Sequence, residues 1–275
     1  MAQSFHGKKV IITGGSSGIG KAIAAALVRQ GAHVCIAARR PDALEEAVAE
    51  LSALATHAEQ RVCHQVLDVS DRAAVQQAAP QMLAALGGLD VLINNAGIAH
   101  VGYLEQESAE AYERMIAVNY LGAVWMTQAF LPHFMQQKSG TLAYVSSLLG
   151  LMGLFGYSAY CGSKHALTGY ADALRQDLLR YNIQVSVLFP ADTDTPQLHE
   201  ENKSKPPETA AVAGTLKPAS AESVAQDFLA GLSRGRYHII PGLESRATMW
   251  AVRHLPAVAR WVIDRDLRKA AQARG

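Results

Sequence analysis

Lys8-Lys-Val-Ile-Ile-Thr-Gly-Gly-Ser-Ser-Gly-Ile-Gly20 is the stretch that decides the fold. The β-branched and apolar run 8–13 reads as a buried strand. Glycines at 14, 18 and 20 end it, and a helix over 18–30 follows, with Ile23, Ala24, Leu27 and Val28 on its apolar stripe. Gly31 stands at the C-terminal position that favours a left-handed residue. Glycines at a strand-to-helix turn let the backbone approach a pyrophosphate, which the N–H groups of the helix N-terminus then hold. The spacing Gly14-x-x-x-Gly18-x-Gly20 is looser than the usual dinucleotide fingerprint, but its context, strand before and helix after, is right. Gly14-Gly15-Ser16-Ser17-Gly18 also satisfies the Gly-x-Ser-x-Gly elbow of serine hydrolases. That elbow borrows an oxyanion N–H from the loop of an earlier strand, and no strand precedes this one, which weighs against the hydrolase.

Outward from this turn, strands are expected over 33–38, 62–67, 90–93, 141–145, 184–189 and 237–240. Helices are expected over 42–56, over 71–86 with a break or bend near Pro80, and over 108–137 as one long or two abutting helices bent at Pro132. Two more are expected from 157 onward and over 221–233. Strands that alternate with helices of ten or more residues require parallel pairing and right-handed crossovers. The fold class is therefore α/β, a Rossmann-type doubly wound parallel sheet forming one domain over 1–242. Residues 197–218 are polar and carry Pro206, Pro207 and Pro218, and they read as a mobile flap with short helical pieces after the sixth strand. Residues 243–275 read as a helical tail that Pro256 kinks.

The 275 residues are 49% hydrophobic and 18% charged with a net charge of +1, an ordinary globular balance that implies no polyanion and excludes nucleic acid as a partner. Cys35, Cys63 and Cys161 are odd in number and lie in or beside apolar runs, which fits a reduced, cytoplasmic protein better than a disulfide scaffold. The ten histidines are scattered without ligand spacing, so no metal is expected. The N-terminal stretch lacks a basic region followed by an apolar one, so no secretory leader is expected, and no run approaches the ~20 apolar residues of a membrane span. A soluble protein, at most peripheral on a membrane, is expected.

A second stretch carries chemistry. After the strand 141–145 come Ser146 and Ser147, a Gly-punctuated apolar loop, and a helix bearing Tyr160 and Lys164. Residues four apart share one helix face. A free phenol titrates near pH ~10; an ammonium beside it favours the phenolate and draws that value toward neutrality. Ser147, at the strand's end, can hydrogen-bond the oxygen on which Tyr160 acts. Cys161 has no His partner in a nucleophile arrangement, and ordinary surface roles suit His165 and His199.

Thr13-Gly14-x-x-x-Gly18-x-Gly20, Asn94-Asn95-Ala96-Gly97, Asn119, Ser147 and Tyr160-x-x-x-Lys164 together resemble the short-chain dehydrogenase/reductase family over about 8–240. The resemblance implies Tyr160 as proton donor and Ser147 as the group that polarises the carbonyl. Lys164 then lowers the Tyr pKa and holds the nicotinamide ribose, and Asn119 keeps a water in the proton relay. For the cofactor it implies Gly14, Ser16, Ser17, Gly18 and Ile19 at the phosphates and Asp68 and Val69 at the adenine. Asn95, Ala96 and Gly97 line its path. Where the family usually has Pro-Gly, this chain has Pro190-Ala191, followed by Thr193 and Thr195, which reach the carboxamide. NADPH is expected over NADH: the second strand ends Ala37-Ala38-Arg39-Arg40, with no carboxylate for the ribose hydroxyls. Arg39, with Arg40 as a second candidate, can instead stack on adenine and pair with a 2′-phosphate.

Residues 190–209 and 151–160 resemble a branch of that family, the 3-ketodihydrosphingosine reductases. This implies a lipid ketone substrate, with Leu148, Leu149, Leu151, Met152, Leu154 and Phe155 as its aliphatic wall, Tyr157 in the pocket, and Glu200 or Glu201 near the ammonium. A general dehydrogenase for another lipid, sterol or small alcohol, and a non-catalytic scaffold, are the alternatives; the complete set Asn119, Ser147, Tyr160 and Lys164 disfavours the scaffold. A homodimer or homotetramer through helices 108–137 and 157–181 is expected. Trp250 and Trp261, among Arg246, Arg253, Arg260, Arg265 and Arg268, fit an interfacial helix. A tail that instead closes the pocket or a subunit interface fits the same residues.

Overall fold

The central strands, Lys9–Thr13, His33–Ala38 and Val91–Asn94, are apolar through their middles because both faces of the sheet are covered there. In β1 (Lys9–Thr13), Ile11 points to one layer of helices and Val10 and Ile12 to the other. The computed structural model describes residues 4–213 and 217–272. Within them β1 is followed by α1 (Gly18–Arg29), β2 (His33–Ala38), α2 (Pro41–Ser52), β3 (Val62–Val66), α3 (Arg72–Leu86) and β4 (Val91–Asn94). Then come α4 (Ala109–Met115), α5 (Gly122–Gln137), β5 (Gly140–Val145), α6 (Ser158–Leu178) and β6 (Ile183–Leu188). The remainder is β7 (Thr193–Asp194), α7 (Pro196–Ser204), α8 (Pro207–Ala213), β8 (Ala219–Ser220), α9 (Ala221–Leu232), β9 (His238–Ile239), α10 (Leu243–His254) and α11 (Pro256–Gln272).

The main sheet is parallel, in the order β3-β2-β1-β4-β5-β6-β9. This is the expected doubly wound sheet. One core joins Ile11, Leu92, Leu142 and Val185 to Phe130, Phe134 and Tyr144 under α3, α5 and α6. The other joins Val10, Ile12, Ile36 and Ile93 to Leu27, Leu44 and Phe228 under α1, α2 and α9. The strand order reverses between β1 and β4, so their C-terminal ends diverge into a crevice, the place where open α/β sheets bind ligands.

Several elements differ from the sequence reading for local reasons. Helix α2 stops at Ser52 because Gln60 draws the chain aside: its Oε1 accepts from Thr56 N at 2.9 Å while its Nε2 donates to Val28 O and Ala32 O. Helix α3 runs unbroken through Pro80, its N-terminus capped by Asp71, which accepts from Ala73 N and Ala74 N. The long helix region is helical without a break from Ala109 to Gln137, as expected, but its middle is not α-helical. A π turn, Ile116–Leu121, joins α4 to α5 and carries Asn119. Of the segment expected as a mobile flap, residues 214–216 lie outside the described residues and the part before them is folded onto the body: Leu198 and Thr209 are buried, Thr209 Oγ1 donates to Phe155 O at 3.0 Å, and Tyr103 OH donates to Glu208 Oε2 at 3.0 Å. Pro256 divides the tail into two helices, and α11 packs against α8.

The crevice is held open by one set of bonds. Thr13 Oγ1 accepts from Asn95 N and Ala96 N, each at 3.0 Å, and Asn95 Nδ2 donates to Thr13 O and Gly14 O. Gly14 has φ +67, and a Cβ on Gly20 would lie 2.3 Å from Gly14 O, so the turn closes only over glycine. Thr13 is buried, and Thr13→Val keeps its shape while leaving two N–H groups without an acceptor. The expected outcome is a loss of about 1–3 kcal/mol in equilibrium urea unfolding, with Thr13→Ser losing clearly less.

Candidate active site

Residues at the C-terminal ends of β1, β2, β4, β5 and β6 face one cavity of about 1130 Å³. Every residue that the sequence reading assigned to the cofactor lines it, as do Ser147, Tyr160 and Lys164. At its floor, the N-terminus of α1 has no side-chain cap: Ser17 precedes it in extended conformation, and no acidic residue lies in its first turn. Such an end presents free N–H groups and the positive pole of the helix dipole to an anion. Arg39 and Arg40 stand exposed at the rim. Asp68 lies beside them. Burial raises its carboxyl, but hydrogen bonds from Ser70 and the charges of Arg39 and Arg114 outweigh that and hold it below the usual range. A glycine turn, a bare helix end and a cavity of this size fit a dinucleotide, and among the described residues no group of three or more His, Cys, Asp or Glu side chains could hold a metal ion.

The polar residues of β5 and α6 meet in the middle of the cavity wall. Ser147 lies two residues beyond β5, and its hydroxyl accepts from Leu149 N at 3.1 Å and hydrogen-bonds with the phenol of Tyr160. Lys164 is buried; its Nζ donates to Val145 O at 2.9 Å and lies 5.6 Å from the centroid of the Tyr160 ring. Burial lowers the Lys164 ammonium from 10.5 to about 8. It does not pull the phenol down as the four-residue spacing led us to expect. Tyr160 is pushed well above the ordinary phenol value, by burial first and then by the charge of Glu201, with only the Ser147 hydrogen bond acting the other way. The reason is geometric: the ammonium points at a backbone carbonyl across the ring face, not at the hydroxyl.

Asn119 stands behind the cavity, buried in the π turn. Its Oδ1 accepts from Ile98 N at 2.8 Å, and its Nδ2 donates to Ile98 O and to Ser163 Oγ, each at 2.9 Å. The amide oxygen and one amide proton thus fix the chain after Gly97, and the other amide proton reaches α6. Ser163, which no sequence signal distinguished, links this network back to α6 through a bond to Tyr160 O at 2.8 Å.

Of the expected apolar wall, Leu148, Leu149, Met152 and Leu154 line the cavity. Leu151 instead packs against the core under α5 and α6, and Phe155 turns outward with its ring edge to Tyr103. Tyr157 lines the cavity and donates its hydroxyl proton to Glu201 Oε2 at 2.8 Å. Glu201 faces inward, whereas Glu200 is spent on an exposed ion pair with Lys203. His199 pairs with Asp194, His165 bonds Cys161 O, and burial raises the Cys161 thiol, so none is poised as a nucleophile or base. The tail supplies a wall that periodicity alone did not assign: Thr248, Val252, Leu255, Val262 and Ile263 line the far end, while Trp250 and Trp261 remain 59% and 61% exposed on the outside. Among the described residues no helix is long and apolar enough to cross a membrane.

With a doubly wound sheet, a glycine turn at its switch point and a Ser–Tyr–Lys constellation beside it, the molecule has the parts of a dinucleotide-dependent oxidoreductase acting on CH–OH or C=O groups. The family model described as short chain dehydrogenase matches residues 8–206, and the chain belongs to that family. Among its relatives, the 3-ketodihydrosphingosine reductase of Bos taurus is 38% identical over 233 residues, covering 84% of this chain and 70% of the bovine protein. The 3-dehydrosphinganine reductase of Danio rerio is 39% identical over the same length, with the same coverages. A short chain dehydrogenase/reductase from Burkholderia phymatum, solved in complex with NAD, superposes with a TM-score of 0.79 at 25% identity, over 93% of this chain and 96% of that one. The alcohol dehydrogenase of Thermococcus sibiricus, complexed with 5-hydroxy-NADP, gives 0.72 at 28% identity, over 85% and 95%.

The depressed pKa of Lys164 has a stability consequence. Below pH 8 the folded protein carries a buried ammonium whose ionisation folding disfavours; between about 8 and 10.5 the folded state sheds that proton while the unfolded chain keeps it. Lys164→Met is therefore expected to unfold at higher temperature than the wild type at pH 7. The gap should close as pH rises from 8 toward 10.5, as read by differential scanning calorimetry of the two proteins side by side.

Proposed function

We propose that the chain reduces a long-chain 3-ketone of the 3-ketodihydrosphingosine class to its alcohol, with NADPH as reductant. The observation that carries the substrate is the continuity of the cavity: it runs from Ser147 and Tyr160 past Leu149, Met152 and Leu154 to the apolar inner faces of α10 and α11. Aliphatic walls leading away from the reacting group suit a long chain, and the cavity exceeds what a drug-sized ligand needs. The reductases of Bos taurus and Danio rerio among its relatives point the same way.

The bound cofactor supplies hydride to the carbonyl carbon. The chain's own residues handle the oxygen. Ser147 donates to the carbonyl oxygen and orients it, and Tyr160 gives that oxygen its phenolic proton as negative charge develops there. A phenol held above its ordinary pKa arrives protonated at neutral pH, which is the form a reduction consumes. Lys164 balances the phenolate that remains and holds the nicotinamide ribose; Asn119 keeps the Ile98 backbone in place beneath it. Arg39 pairs with the 2′-phosphate of NADPH, since β2 ends without a carboxylate for free ribose hydroxyls.

The test follows reduced-cofactor absorbance with 3-ketodihydrosphingosine analogues of rising chain length and with compact cyclic ketones. Efficiency is expected to climb by up to about 0.8 kcal/mol per methylene while the chain is still being buried, with NADPH preferred, the preference lost in Arg39→Ala, and turnover down by about 10²-fold or more in Tyr160→Phe. A flat profile, or faster turnover of a compact ketone, would instead assign a general dehydrogenase acting on another lipid, sterol or small alcohol.

We also propose that the tail meets a lipid surface. The support is the outward placement of Trp250 and Trp261, with Arg265 stacked on Trp261, on the same helices that wall the cavity. Co-sedimentation with anionic vesicles is expected, and its loss in the Trp250→Ser, Trp261→Ser double variant; a wild type that stays in the supernatant would refute it.

A further inference from the structure

The cavity wall carries a carboxylate that the reduction itself does not use. Glu201, on α7, is half-buried and faces inward. Its two oxygens are held by neutral donors: Oε2 accepts from Tyr157 OH at 2.8 Å and Oε1 from Gln197 Nε2 at 3.0 Å. Tyr157 is itself buried, with its ring 5.9 Å from that of Tyr160, so the carboxylate is tied to the wall beside the proton donor. Its charge reaches Tyr160. Lys205, which also lines the cavity, is paired with Asp192 at 3.8 Å. Among the described residues no Lys, Arg or His forms an ion pair with Glu201.

A carboxylate fixed in a closed site by neutral donors, with lone pairs to spare, is a receptor for a cation. Resting on the ketone-reductase reading above, we propose that Glu201, positioned by Tyr157, binds a protonated amine on the carbon next to the reacting carbonyl and so selects 2-amino ketones over plain ketones. The arrangement couples recognition to chemistry. An ammonium that settles against Glu201 cancels the charge that strengthens the hold of Tyr160 on its proton, and the phenol becomes a better acid only once the amino ketone is in place. The amine should therefore raise kcat as well as lower KM, whereas a merely sticky carboxylate would move KM alone.

The experiment compares a long-chain 2-amino-3-ketone with the 3-ketone of equal length that lacks the amine, using the full chain with NADPH. The wild type is expected to favour the amino ketone in kcat/KM by about 10- to 100-fold, the range of one hydrogen-bonded charge pair. In Glu201→Gln that ratio should fall to within about threefold of unity, with the kcat part of the preference lost. Tyr157→Phe, which leaves the carboxylate but frees it from the wall, should lower the ratio by an intermediate amount, and it reads the proposal independently should Glu201→Gln fold poorly. A ratio unchanged in Glu201→Gln, or lost instead in Asp192→Asn, would overturn the assignment. Equal turnover of both ketones by the wild type would overturn it too while leaving the reductase reading intact. Turnover of neither would overturn both.

Discussion

A single threonine hydroxyl sets the geometry on which the remainder of the site depends. Thr13 Oγ1 gathers the N–H groups of Asn95 and Ala96, and the Asn95 amide returns the favour to Thr13 O and Gly14 O. These bonds lie where β1 and β4 part company, and a parallel sheet left to itself has no reason to hold two diverging loops at a fixed separation. The clamp fixes the glycine turn against the end of β4. From there the chain runs to Ile98, which Asn119 grips from below, and Asn119 is tied through Ser163 to the backbone of Tyr160. The glycine turn and α6 are thus one hydrogen-bonded unit, with the π turn at Ile116–Leu121 placing Asn119 at its centre. A π turn inside a long helix is a common sign of such a functional constraint.

Burial then tunes the chemistry in opposite senses. The same low-polarity wall that raises Tyr160 lowers Lys164, because desolvation disfavours whichever form is charged. The two groups are drawn toward neutrality together, and each becomes more responsive to charge brought in by a ligand than it would be at the surface.

Much of this was legible in the residues. The 3.6-residue and continuous apolar patterns located the strands and most helices, since both faces of the sheet are covered and its strands show no polar alternation. The glycine turn, Asn95 to Gly97, and the Ser147, Tyr160, Lys164 spacing located one wall of the cavity. What was not legible was whatever depends on tertiary direction. A four-residue spacing says that Tyr160 and Lys164 share a face; it does not say that the ammonium turns toward Val145 O. Leu151 and Phe155 sit among wall residues in sequence, yet a 3₁₀ turn at Leu148–Gly150 rotates them out of the cavity. The polar composition of 197–218 suggested mobility because its anchors, Thr209 to Phe155 and Tyr103 to Glu208, bridge distant parts of the chain. Ser163 was missed for the same reason.

The two long walls of the cavity are held to the body by very different means. The inner one is part of the sheet and its covering helices. The outer one consists of α10 and α11, where Met249 is the buried residue of α10, and α11 leans chiefly on α8, itself outside the sheet. Free energies of local opening follow the amount of apolar surface an element buries. The tail is therefore the part of the molecule that detaches at least cost, and it can do so with every strand still paired. On this architecture, loosening α10 and α11 also removes the outer wall of the cavity.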